Sequence, residues 1–131
     1  MMTTPDFIRH WVRGAERDWH AAEVLLTAGA YSQCIFFAHL TVEKLAKAHW
    51  IREHEEPDPP MWHNIGKILQ LTSLVLPADE QATAVRLSAL QVESRYPDYT
   101  ISFFDTLSPA DAQDLWNLTD SLRQFLLARL P

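Results

Sequence analysis

The segment Tyr31–His54, YSQCIFFAHLTVEKLAKAHWIREH, contains no proline or glycine, and its first half is apolar on more than one face. A helix of that kind cannot rest on a surface with a single stripe turned inward. It must be buried centrally or contribute to an oligomer interface. Its second half is amphipathic, with Glu43, Lys44 and Lys47 among the polar residues. The rest of the chain has to supply the surfaces that enclose it.

Four other segments show helical spacing. Thr4 is the expected cap of a first helix, Pro5 suits its first turn, and Asp6 complements the positive helix end. Ile8, Trp11, Ala15, Ala22 and Leu25 then form a stripe on which Asp18 also falls, and Gly29 is the expected stop. After the second helix, EHEEPDPPMWHN interrupts the pattern. Its three prolines cannot continue a helix, and the spacing predicts a surface loop rather than a domain boundary. A short third helix aligns Ile65, Ile68, Leu69 and Thr72, with Pro77 as its expected end. A fourth starts at Asp79 or a neighbour, with Ala82, Val85, Ala89 and Val92 as its stripe. It ends near Arg95, because Pro97 pushes Tyr96 out of the helical region. An aromatic-rich connection, YPDYTISFFDTL, leads to the fifth helix. There Ser108 caps, Pro109 takes the first turn, and Ala112, Leu115, Thr119, Leu122 and Leu126 make the stripe. The expectation is an all-α fold over a single domain, residues 1–131: a five-helix antiparallel bundle, with a four-helix up-and-down core plus a short helix.

Charge and cysteine usage exclude several classes. The net charge is −6 with no basic run, which argues against broad binding to nucleic acid or an anionic membrane and leaves room for a small local basic site. Cys34 is the only cysteine, so no disulfide can form within the chain. That fits a reducing, cytoplasmic setting, with Cys34 as a small buried hydrophobe. No apolar run approaches the ~18 residues of a membrane span, and MMTTPDFIRHW lacks the pattern of a secretion signal.

Motifs for metal and phosphate chemistry are weak. His39 and Glu43 stand one helical turn apart, as do Glu16 and His20, but the Glu-x-x-His pattern of di-iron bundles is absent. Three scattered glycines cannot build a phosphate loop, and no Gly-x-Ser-x-Gly occurs. Neither a metal nor a cofactor is expected. Trp11, Trp19, Trp50, Trp62 and Trp116 lie on or beside apolar stripes and are expected in the core or an interface rather than as a platform for bases.

The stretch RDWHAAEVLLTAGAYSQCIFFAHLTVEKLAKAHW resembles the start of a HEPN domain (higher eukaryotes and prokaryotes nucleotide-binding). The matching features are Asp18 in the first helix, the small-residue turn TAGAYS, and Glu43, Lys44 and Lys47 in the second helix. HNIGKIL resembles the family's third-helix start, with Asn64 in place of aspartate, and RYPDY resembles its late arginine motif. The resemblance implies a helical bundle that dimerises and pairs with a minimal nucleotidyltransferase or another nucleotide-handling protein. Many members of the family are metal-independent, toxin-like RNases whose arginine precedes a histidine by a few residues. Here the arginine would be Arg95, but positions 100 to 102 hold Thr100, Ile101 and Ser102, and no histidine follows His63. Without imidazole beside Arg95, nothing local moves protons near neutral pH.

The expected function is a dimeric HEPN-type interaction module, with no membrane partner and a nucleotide as possible ligand. A toxin-like RNase using Arg95, with His63 supplied from elsewhere, is the alternative. Arg95, Tyr96, Tyr99, Lys47 and His63 are the candidate ligand residues. Asp18, Glu43, Arg95 and Asp98 are the candidate structural network, because carboxylates on or near apolar stripes are costly without a partner.

Overall fold

The computed structural model describes residues 1–95 and 107–131, and of residues 91–95 the backbone alone. Among the described residues the chain forms five helices and no strand: α1 (Thr4–Thr27), α2 (Tyr31–His54), α3 (Ile65–Gln70), α4 (Ala78–Arg95) and α5 (Pro109–Ala128). This is the expected helical bundle, with α3 as its short member. No helix among the described residues is long and apolar enough to cross a membrane.

The helix ends follow from local chemistry. The cap of α1 is Thr3, one residue before the expected Thr4. Asp6 N–H donates to Thr3 Oγ1, while Thr3 N–H donates to Asp6 Oδ2 at 2.7 Å, a reciprocal capping box. At the other end, Gly29 adopts φ +79°, and Ala30 N–H reaches back to Leu25 O at 2.9 Å while Gly29 N–H reaches Leu26 O at 3.1 Å. Those two bonds make a Schellman stop, which needs a residue tolerant of left-handed backbone. Asn64 Oδ1 caps α3 through Lys67 N–H, and Ser108 Oγ caps α5 through Asp111 N–H at 3.0 Å. The third helix stops at Gln70, well before Pro77. Leu71 and Thr72 turn tightly onto Ile68 O and Leu69 O, and Ser73 N–H is taken by the Glu53 carboxylate at 2.8 and 2.9 Å instead of continuing the helix.

Helix α2 is the axis of the bundle. It packs against all four other helices, and Cys34, Ile35, Ala38, Val42, Leu45, Ala46, Ala48 and Ile51 are all buried. Most of its apolar surface is enclosed within one chain, while Phe36, Phe37 and Leu40 in its first half stay half-buried. Burial lifts the Cys34 thiol to about 11, which leaves it an unreactive hydrophobe. Trp19 and Trp50 are buried, Trp11 and Trp116 pack half-buried against the core, and Trp62 stands out at 46% exposure. Trp19 stacks on Trp116 at 3.9 Å and joins α1 to α5.

The α5 stripe is buried as expected, but the α4 stripe is rotated. Ala82, Val85 and Ala89 are exposed, whereas Thr83, Ala84, Leu87, Ser88 and Leu90 face inward. Leucines fill core volume that alanines cannot. The two hydroxyls are tolerated inside because each has a partner: Thr83 Oγ1 donates to Asp79 O at 3.1 Å, and Ser88 Oγ accepts Ile65 N–H at 3.2 Å.

The C-terminal ends of α2 and α5 lie together. His49 Nε2 bonds Leu126 O at 2.8 Å, and an Arg52 guanidinium N–H donates to Arg129 O. A carbonyl only accepts, so Nε2 carries the proton. Burial holds the His49 imidazole below its usual value, and its backbone bond to Leu126 opposes this only in part. The neutral ring is then the folded form, while the unfolded chain takes up a proton below pH of about 6.5. Stability is expected to be full above that pH and to fall as pH drops toward His49's lowered value. Urea midpoints at pH 7 and pH 5 for the natural chain and for His49→Gln measure this; the difference between the two pH values should shrink in the variant.

Candidate functional site

One carboxylate in the middle of α2 organises the polar interior. Glu43 is 4% exposed, one helical turn before Lys47, which is 6% exposed. Lys47 Nζ donates to Glu43 Oε2 at 3.3 Å, and its ammonium lies 5.5 Å from the centre of the Trp11 ring on α1. The other carboxylate oxygen, Oε1, accepts from His63 Nδ1 at 3.0 Å, and His39 Nδ1 lies 3.9 Å away on the same helix. His63 belongs to the loop before α3, so this bond ties the proline-rich segment back to the central helix. The charge is met by Lys47 and the second oxygen is satisfied by the imidazole, as a buried carboxylate requires.

A second pair starts from the next residue of α2. Lys44 reaches Asp18 across the α1–α2 contact, and its stem passes Gly14, where a Cβ would come within 3.3 Å of Lys44 Cδ. Thr41 Oγ1 also meets Ala15 O at 3.3 Å. The polar side of α2 is thus turned into α1 rather than to solvent.

The imidazole of His63 opens onto a surface depression of about 650 Å³ lined by Met61, Trp62, His63, Asn64, Lys67 and Leu71. The His63 side chain is 40% exposed. With Nδ1–H committed to Glu43, Nε2 is the ring atom left to accept a hydrogen bond or a proton. Beside it stand an exposed indole and an exposed ammonium, Trp62 and Lys67. These groups suit a flat ligand carrying an anion: a ring face to stack on, a cation, and an oriented imidazole.

Several sequence candidates come together here. Glu43, Lys47 and His63 form one cluster, with Lys47 on its buried side rather than in the depression. Asp18 pairs with Lys44. Arg95 closes α4, but its side chain and all of Tyr96, Asp98 and Tyr99 lie outside the described residues, as does the expected tie from Arg95 to Asp18 or Glu43. Trp62 and Lys67 also line the depression and were not among the sequence candidates for a ligand. The signal was the proline-rich loop itself, which no helical face can absorb. Among the described residues no group of three His, Cys, Asp or Glu could hold a metal ion.

Removing Glu43 strands a buried ammonium. Glu43→Ala is expected to cost on the order of 3–5 kcal/mol in urea unfolding, and Glu43→Ala with Lys47→Met should recover most of that loss. Equal costs for the single and double variants would place the loss in packing rather than charge.

Among curated proteins none matches this sequence. In three dimensions the chain is similar to the crystal structure of ST0689, an archaeal HEPN homologue, at 23% identity and TM-score 0.74, covering 95% of this chain and 98% of that one. It is similar too to the crystal structure of TT1696 from Thermus thermophilus, at 20% identity and TM-score 0.80, covering 94% and 98%. At such identities the likeness shows the fold. The sequence profile of the HEPN domain matches residues 8–130, nearly the whole chain, and the chain belongs to the HEPN domain family.

Proposed function

We propose that this chain is a HEPN-type interaction module that acts as a homodimer, serves a nucleotide-handling partner of the minimal nucleotidyltransferase kind, and binds a nucleotide beside His63. The observation that carries the ligand is the 3.0 Å bond from His63 to the buried Glu43, which holds the imidazole at the rim of a depression that also offers Trp62 and Lys67. A base would stack on Trp62, and a phosphate would meet Lys67 and His63. Support for a protein contact comes from the groove beside α3, where Val75 and Val85 are 84% and 62% exposed among Leu69, Leu74 and Leu76. Apolar side chains gathered in this way mark contact surfaces more often than single exposed ones do.

Titration calorimetry with adenosine monophosphate tests the ligand. We expect binding that falls at least tenfold for Trp62→Ala and for His63→Gln, with adenosine weaker than the monophosphate. Light scattering tests assembly: a particle of twice 15.1 kDa is expected at micromolar concentration, reduced to 15.1 kDa by Val75→Glu with Val85→Glu.

A second reading, a metal-independent RNase, draws on the same bond, because an imidazole held by a buried carboxylate is how a general base is oriented. The missing histidine after Arg95 and the net charge of −6 weigh against it. No cleavage of RNA is expected in metal-free buffer. Cleavage that disappears in both Arg95→Ala and His63→Ala would establish the RNase instead.

A further inference from the structure

We infer that the outer face of α1 is a docking surface for an acidic helix of a partner protein. Arg9, Arg13 and Arg17 recur at four-residue intervals, so their guanidiniums rise along one side of the helix over about 12 Å. All three are exposed, and His10 and His20 are exposed on the same side. Together with Met2 and Asp6, the three arginines and His10 line a shallow depression of about 390 Å³. Among the described residues Arg9 alone of the three has a carboxylate partner, Asp6; Arg13 and Arg17 have none.

The pattern is unusual for this molecule. With Asp6 and the exposed Glu16 counted, the face carries a charge of +1 in a chain of −6, leaving −7 on the remainder. The opposite side of α1 is packed on the core through Ile8, Ala15, Trp19 and Ala22, so the arginines stand on a rigid base. Guanidinium is also the group best suited to paired bonds with carboxylates.

Three occupants carry the needed negative charge, and two fit poorly. A nucleic acid gains affinity by neutralising on the order of 6–10 phosphates, whereas this face offers three cations and the remaining −7 repels a polyanion. A membrane surface wants apolar residues to insert beside the cations, and the apolar stripe of α1 is turned inward. A helix with carboxylates one turn apart matches the rise of the arginines and meets only this face. The proposal rests on the interaction-module reading and names the chemistry of its partner, but it is independent of the His63 site.

The probe is a synthetic 17-residue helical peptide with Glu at every fourth position, set against the same peptide with Gln, and measured by fluorescence anisotropy at low ionic strength. We expect the Glu peptide to bind, the Gln peptide to bind at least tenfold more weakly, and added salt to weaken binding. Arg13→Glu with Arg17→Glu should lower the affinity at least tenfold, and the milder Arg13→Gln with Arg17→Gln should lower it in the same direction if the charge reversal disturbs folding. Adenosine monophosphate binding should be unchanged in both variants, which separates failure here from failure of the nucleotide site. No binding of the Glu peptide, or equal binding by the natural chain and the variants, overturns the proposal. So does tighter binding of a 12-nucleotide RNA through the same arginines, which would assign the face to nucleic acid.

Discussion

A charge in the middle of the most buried helix governs how this bundle is assembled. Every other described helix packs on α2, so a carboxylate at position 43 has no route to water unless a neighbouring element opens one. The chain meets it with two groups of different reach: Lys47, one turn along the same helix, and His63, from a loop twenty residues away in sequence. The lysine neutralises the charge. The imidazole satisfies the second oxygen, and it anchors a proline-rich segment that has little helical hydrogen bonding of its own. One desolvation problem thus places the loop, the start of α3 and the rim of the depression together.

The same economy appears at the α1–α2 contact. Gly14 lets the Lys44 stem approach, the ammonium reaches Asp18, and Thr41 bonds Ala15 O. Polar residues that look amphipathic on a helical projection are here turned toward a second helix and neutralised pairwise. The outward side of α1 carries Arg13 and Arg17 without an ion-pair partner among the described residues. The inner face of this helix holds the fold, and its outer face carries the arginines.

Much of the architecture is legible in the order of residues. Gly29, Asn64 and Ser108 mark helix boundaries through backbone requirements that act within a few residues, and such requirements do not depend on the rest of the molecule. The α5 stripe reads correctly because leucines and a threonine alternate with plainly polar residues. The α4 stripe does not, since ADEQATAVRLSAL holds alanines on every side, and an alanine fits a core or a surface nearly equally well. Leu87 and Leu90 outweigh them once there is a core to fill. For the site, Glu43, Lys47 and His63 each draw notice as polar residues in suggestive positions, but nothing in their spacing says that Glu43 meets His63.

The sequence by itself determined the helical class, most of the helix ends and the need to enclose the second helix on more than one face. Periodicity, capping and the absence of breakers are local properties, and apolar residues around a helix demand enclosure whatever encloses them. The fold decided what encloses it. It showed that the four other described helices pack on α2, that α4 turns its leucines rather than its alanine and valine stripe inward, and that Trp62 and Lys67 join His63 at one depression. Those outcomes depend on which distant surfaces meet and on how their volumes and charges balance. A one-dimensional pattern carries that information only after the chain has closed on itself.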